Sequence, residues 1–134
     1  MNELPAKILI VDDEPYMLRV EELSLKKGGF ELLKARNGRQ ALELARTAHP
    51  DLIVMDVLMP DLDGLSALDQ LKLNPATATI PVIMISARGH LMTRQEAEDR
   101  GAALFLTKPF SPTRLLQEVQ RLLERHCSSW ETAV

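Results

Sequence analysis

Short runs of β-forming residues alternate five times with longer segments of helical periodicity along this chain. Two of the runs, residues 8–11 and 52–55, are apolar at every position. A strand without polar alternation is typical of a parallel strand that helices cover on both faces. The pattern therefore predicts an α/β fold, in which five parallel strands form an open, doubly wound sheet with right-handed helical crossovers.

The boundaries of these elements follow from local signals. We predict strands over residues 8–11, 31–35, 52–55, 81–85 and 102–106. The first helix starts near Pro15, which suits a first helical turn, and the second starts after Asn37, a good N-cap residue. Leucines at helical spacing mark the third helix, and Thr93 with Glu96 predicts a capping box before a fourth helix over residues 94–100. The last helix is predicted over residues 112–125.

The chain is long enough for one compact domain, since its 134 residues match a common domain size. We expect residues 7–126 to form this domain, with residues 1–6 as a short N-terminal segment and residues 127–134 as a C-terminal tail. The net charge of −3 gives no reason to expect direct contact with nucleic acid or membrane. A single cysteine, no spanning apolar segment and no signal peptide together predict a cytoplasmic protein.

Polar residues that follow the apolar runs fall at one edge of the predicted sheet. In an open parallel sheet, ligands bind at the carboxyl ends of the strands. The first strand is followed by Asp12 and Asp13, the third by Asp56, the fourth by Ser86 and the fifth, one residue later, by Lys108. Three carboxylates, one hydroxyl and one ammonium are therefore expected to converge there.

Such an acidic cluster calls for a cation, because two carboxylates about 4 Å apart repel by about 4 kcal/mol at an effective dielectric constant of ~20. Lys108 supplies one positive charge. Oxygen ligands without histidine or cysteine favour a hard divalent ion, and Mg²⁺ fits best because it leaves room for phosphate oxygens. Metal, lysine and hydroxyl are parts used in phosphoryl transfer, with Asp56 as the natural nucleophile.

The same residues resemble a known family. The resemblance rests on Asp12-Asp13, on Asp56 with Met59-Pro60 and Asp63-Gly64, on Ser86-Ala87 and on Lys108-Pro109-Phe110. Together these motifs resemble the receiver domain of two-component response regulators, over about residues 7–125. The resemblance implies a flavodoxin-like, CheY-like (βα)5 fold.

The resemblance also implies an acceptor and a metal site. Asp56 is expected to accept a phosphoryl group from a phosphohistidine on a sensor histidine kinase or phosphotransfer protein. The carboxylates of Asp13 and Asp56 are expected to bind Mg²⁺ directly, together with the backbone carbonyl of Leu58. Asp12 is expected to act through a metal-bound water.

A phosphoryl contact and a switch are implied in the same way. Ser86 and Lys108 are expected to contact the phosphoryl oxygens, and the peptide bond between Lys108 and Pro109 is expected to be cis. Phe105 is the expected switch aromatic, which moves inward with Ser86. The output is then protein binding at the surface formed by the fourth helix, fifth strand and fifth helix, with a target that the sequence does not name. Leu58 and Arg88 are expected to control the lifetime of the phosphoryl group.

Several alternatives stay open at this point. Asp12 or Asp13 alone can cap a helix, and Asp61 and Asp63 look superficially like a phosphatase motif, although loop and capping roles fit them better. We expect a protein that is not an enzyme beyond self-catalysed phosphoryl acceptance and slow autodephosphorylation. The rivals are a small Mg²⁺-dependent phosphatase, an unphosphorylated adaptor, and a receiver fragment of a larger regulator or kinase. The expected state is a monomer or weak homodimer.

Overall fold

Strands and helices alternate along the chain in the computed structural model, which describes residues 5–59, 61–86 and 94–132. The strands are β1 (Lys7–Val11), β2 (Glu31–Ala35), β3 (Leu52–Asp56), β4 (Val82–Ser86) and β5 (Leu104–Thr107). The helices are α1 (Pro15–Lys26), α2 (Gly38–Ala48), α3 (Gly64–Leu73), α4 (Arg94–Asp99) and α5 (Pro112–Thr132).

The five strands form one parallel sheet in the order β2-β1-β3-β4-β5. The chain runs outward from β1 to β2 and then crosses back to β3, so that the strand order reverses between β1 and β3. At such a reversal the two connections leave toward opposite faces, which opens a crevice at the carboxyl ends of the strands. The predicted α/β fold with five parallel strands is confirmed.

The sheet separates two apolar cores, one on each face. Alternate residues of a strand point to opposite faces, so Leu9 and Val11 join one core while Ile8 and Ile10 join the other. The first core includes buried residues of α2, α3 and α4, and the second includes those of α1 and α5. Because both faces are covered, β1 and β3 need apolar side chains at nearly every position.

Side-chain caps begin two of the helices at the predicted places. The Asn37 side chain accepts a hydrogen bond from the backbone N–H of Gln40 at 2.8 Å, which starts α2. The Asp63 side chain accepts one from the backbone N–H of Ser66, also at 2.8 Å, which starts α3. Asp63 therefore has the capping role, which leaves the phosphatase-like interpretation of this segment without support.

The clearest differences between the observed and the predicted boundaries concern α5 and β5. Helix α5 continues past the predicted end at Arg125 to Thr132, because residues 126–132 include neither glycine nor proline to stop it. Strand β5 starts at Leu104 instead of Ala102. The predicted capping residue Thr93 lies outside the described residues.

Candidate functional site

The register of β1 and β3 brings two acidic residues side by side. Val11 of β1 lies opposite Met55 of β3. Asp12 directly follows Val11, and Asp56 directly follows Met55. One carboxylate oxygen from each of Asp12, Asp13 and Asp56 lies within 4.8 Å of the others. Asp12 is only 1% exposed and Asp56 is 7% exposed. A cluster of like charges is therefore held at a nearly buried edge of the sheet.

A hydroxyl and an ammonium come from the two neighbouring strands. Ser86 is the last residue of β4 and is 2% exposed, while Lys108 directly follows β5. The backbone N–H of Lys108 donates a hydrogen bond to the carbonyl oxygen of Ser86 at 2.8 Å. The ends of β4 and β5 are thereby joined beside the acidic cluster.

The ammonium group of Lys108 bridges two of the carboxylates. Its Nζ lies 3.0 Å from Asp56 Oδ1 and 3.2 Å from Asp12 Oδ2. The peptide bond between Lys108 and Pro109 is cis, as the resemblance implies. The structure thus brings together the predicted residues Asp12, Asp13, Asp56 and Lys108.

The combined effects of burial, hydrogen bonds and charge raise the pKa values of both Asp56 and Lys108. Burial raises the pKa of Asp56, and the charges of Asp12 and Asp13 add to this, whereas the hydrogen bond from Lys108 opposes it without cancelling it. Burial lowers the pKa of Lys108, but the hydrogen bond and charge of Asp56 outweigh it, so its pKa lies above the usual value. One shared ammonium therefore does not neutralise the cluster.

The acidic pair after β1 does not cap α1. The N-cap position is Glu14, and no side chain makes a capping hydrogen bond there. Asp12 Oδ1 instead accepts a hydrogen bond from the backbone N–H of Glu14 at 3.0 Å, which shapes the turn between β1 and α1. The simple capping interpretation of Asp12 and Asp13 is therefore wrong.

The donor set at this edge fits a hard divalent cation. Three carboxylates against one ammonium leave a formal charge of 1 − 3 = −2. Carboxylate oxygens are the ligands that Mg²⁺ prefers, and a doubly charged ion balances this excess. Leu58 lies in the loop after β3 with a half-exposed side chain, and its carbonyl as a ligand stays a prediction.

The structure describes the predicted switch residue Phe105, but it does not describe Arg88, one of the residues predicted to control the phosphoryl lifetime. Phe105 is 6% exposed, sits in β5 opposite Met84 of β4 and belongs to the first core. Its movement stays a prediction. Arg88 lies outside the described residues.

Sequence reasoning missed two residues beside the cluster. Glu21 of α1 is almost fully buried, and the charges of Asp12, Asp56 and Lys108 act on it. The helical spacing could have indicated this burial, because Glu21 stands three residues after Leu18 on the buried face of α1. Gly64 was noted only as part of a motif, yet a Cβ atom there would lie 2.1 Å from the carbonyl oxygen of Asp56.

No helix in residues 5–59, 61–86 and 94–132 is both long enough and apolar enough to cross a lipid bilayer.

Fold and site together define a class of protein. It is a doubly wound α/β domain in which carboxylates from two strand ends share one lysine ammonium at the topological switch point. The sequence model of the response regulator receiver domain matches residues 8–120, and the chain belongs to this family.

Known relatives agree with this assignment. The chain is 39% identical over 119 residues to the probable transcriptional regulator ycf27 of Cyanophora paradoxa, an alignment that covers 89% of this chain and 48% of that protein. It is 37% identical over 118 residues to the protein PilH of Pseudomonas aeruginosa, covering 88% of this chain and 98% of PilH.

A solved structure shows the same fold. The crystal structure of a putative response regulator from Chloroflexus aurantiacus superposes with a TM-score of 0.84 at 33% identity, covering 90% of this chain and 98% of that one. The chain spans about half the length of ycf27 and of the other transcriptional regulators it matches.

Proposed function

We propose that this chain is a phosphorylation-controlled signalling module of a two-component system and that Asp56 is its phosphoacceptor. The observation that carries the proposal is the position of Asp56. Its carboxylate lies at the edge of the crevice, within 4.8 Å of those of Asp12 and Asp13 and 3.0 Å from the Lys108 ammonium. A nucleophilic oxygen is thus placed among groups of the kind that stabilise a phosphoryl group.

The reaction is a transfer from a phosphohistidine of a sensor histidine kinase or phosphotransfer protein. One oxygen of the Asp56 carboxylate attacks the phosphorus atom, so that an oxygen–phosphorus bond forms while the nitrogen–phosphorus bond of the donor breaks. The electron pair of the broken bond stays on the imidazole nitrogen, which takes up a proton. The product on this chain is an acyl phosphate.

Residues of this chain supply a cation site for the transfer. Asp13, Asp56 and the backbone carbonyl of Leu58 would hold Mg²⁺, with Asp12 acting through a bound water. When bound, Mg²⁺ neutralises negative charge on the phosphoryl oxygens. The fit rests on the excess negative charge that Lys108 leaves at the cluster.

Lys108 and Ser86 hold the product. Once Asp56 carries a phosphoryl group, the ammonium of Lys108 pairs with a phosphoryl oxygen instead of the former carboxylate. Ser86 stands at the end of the adjacent strand, where its hydroxyl can donate a hydrogen bond to a second oxygen. Both contacts favour the phosphorylated state because they are stronger to a dianion than to a carboxylate.

The signal leaves through α4, β5 and α5, with Ser86 and Phe105 as the switch. Helix α4 is short, and among its described side chains only Ala97 is buried. Little apolar area anchors it to the sheet, so a shift of this helix costs little free energy. A downstream protein that binds this surface would sense the change.

Acetyl phosphate with Mg²⁺ tests the proposal, because intact mass spectrometry detects a covalent phosphoryl adduct. We expect one adduct on the unmodified chain and none on Asp56→Asn. Asp69→Asn is the matched control, since it makes the same chemical change on an exposed residue of α3.

Other outcomes of the same experiment contradict the proposal. An adduct that persists in Asp56→Asn would place the acceptor elsewhere. Rapid turnover of a small phosphate ester would indicate a Mg²⁺-dependent phosphatase, and no modification at all would indicate an adaptor of receiver fold.

A further inference from the structure

Glu21 is a buried acid in the middle of α1. Its side chain belongs to the face of α1 that also buries Leu18 and Leu25, and it is 1% exposed. Helix α5 packs against α1 and contributes Leu115 and Val119 to the same core. Glu21 therefore lies on a buried helix face beside a core to which both α1 and α5 contribute.

The carboxyl group of Glu21 buries one oxygen atom without a hydrogen bond in the described part of the chain. Its Oε1 has no hydrogen-bond partner among the described residues. A buried polar atom without a partner is costly and needs an explanation, such as a bound proton or a functional role. A carboxylate in this position would be more costly still, because burial would remove its charge from water.

The charged groups that act on Glu21 are those of the strand-end cluster. The pKa of Glu21 is raised to about 9: burial is the largest cause, the charge of Asp12 adds to it, the charge of Lys108 opposes it and the charge of Asp56 adds to it. On α5, Arg114 and Arg121 both pair with Glu118. On α1 itself, Glu22 pairs with Lys34 of β2. Burial therefore favours the protonated form of Glu21, and the charges of Asp12, Asp56 and Lys108 act on it.

We propose that Glu21 is a proton-binding site coupled to the cation site formed by Asp12, Asp13 and Asp56. This inference rests on the proposed function, because it takes the cluster to bind a divalent cation. A cation at the cluster favours the ionised form of Glu21 and promotes loss of its proton. Linkage makes the effect reciprocal, so loss of the proton tightens cation binding by the same factor.

The direction of the coupling follows from charge alone. Neutral Glu21 adds nothing to the field at the cluster, whereas ionised Glu21 adds one negative charge in a region of low dielectric constant. We expect Mg²⁺ to bind about tenfold more tightly when Glu21 is ionised than when it is protonated.

Mg²⁺ titrations of the full chain by isothermal calorimetry, at about pH 6.5 and about pH 9.5, test the coupling. At the lower pH we expect the unmodified chain and Glu21→Gln to bind Mg²⁺ with the same affinity. At the higher pH we expect the unmodified chain to bind several times more tightly than Glu21→Gln. Glu22→Gln is the matched control, since it removes a neighbouring carboxylate of α1 and should keep the full pH dependence.

A second measurement needs no variant at the buried position. Mg²⁺ added to the unmodified chain in weakly buffered solution near pH 9 should release protons, and Glu22→Gln should release as many. Equal pH dependence in the unmodified chain and Glu21→Gln, or no proton release, would overturn the coupling. Absence of Mg²⁺ binding at both pH values would overturn the cation site of the proposed function as well, so the two failures are distinguishable.

Discussion

Lys108 supplies the positive charge that two nearly buried carboxylates share. Its Nζ lies close to both Asp56 and Asp12, and burial alone would lower its pKa. Because an ammonium also repels a divalent cation, we expect Lys108 to have two opposite effects if the proposed cation site is correct. It should stabilise the cluster while the cation is absent, and it should weaken cation binding.

Replacing Lys108 separates these two effects. In Lys108→Met we expect Mg²⁺ affinity to rise about tenfold, because the competing charge is gone. We expect phosphorylation by acetyl phosphate to slow at least about tenfold, because a phosphoryl oxygen loses its partner. Calorimetry and the rate of adduct formation measure the two effects. Lys26→Met at the exposed end of α1 serves as the control, and unchanged Mg²⁺ affinity in Lys108→Met would contradict this account.

At the level of whole elements, α3 approaches β3 closely at Asp56. Gly64 is the first residue of α3, and its backbone N–H donates to the carbonyl oxygen of Val57 at 2.8 Å. An added Cβ atom would meet the carbonyl oxygen of Asp56 at 2.1 Å, far inside van der Waals contact. Only glycine allows the helix to start this near Asp56.

Gly64→Ala tests this packing. The helix must move away from β3, so we expect the free energy of unfolding to fall by about 1–3 kcal/mol. Phosphorylation by acetyl phosphate should slow too, since the backbone of Asp56 shifts. Urea unfolding and adduct formation measure both, with Ser66→Ala in the same helical turn as the control. A Gly64→Ala chain as stable and as reactive as the unmodified one would show that the helix start does not hold Asp56 in place.

Stability of the whole molecule depends on pH through Glu21. The pKa of this acid is 4.5 without perturbation and about 9 in the folded chain, where burial dominates. Between these values the unfolded chain loses the proton while the folded chain keeps it. Folding therefore becomes less favourable as pH rises, by up to about 1.4 kcal/mol per pH unit, and the effect ends above the folded pKa.

Glu21→Gln removes this contribution to the pH dependence of the unfolding free energy, because glutamine does not titrate. We expect the difference in unfolding free energy, unmodified chain minus Glu21→Gln, to fall steadily from about pH 5 toward pH 9 and then level off. Urea unfolding across this pH range measures it. Asp56 and Lys108 are present in both chains, and protonated Glu21 is uncharged like glutamine, so their contributions largely cancel below the folded pKa of Glu21. A flat difference would show that Glu21 ionises normally in the folded chain.

The sequence by itself determined the order and type of the elements and the residues at the strand ends. Apolar runs without alternation predicted a parallel sheet covered on both faces, and Asn37 predicted the start of α2. These signals are local, because they depend on side-chain periodicity and on hydrogen bonds between residues a few positions apart. The end of α5 was less predictable, since helix ends are set by weak preferences.

Tertiary structure alone decided which of these residues share charge and which are buried. The Lys108 ammonium lies between Asp12 and Asp56. This position depends on the register of β1 with β3 and on the chain direction after β5. The burial of Glu21 depends on the packing of α1 into the folded chain, where its neighbours include α5 from the far end of the sequence. Charge coupling and burial act through space, so residue order cannot reveal them before the chain has folded.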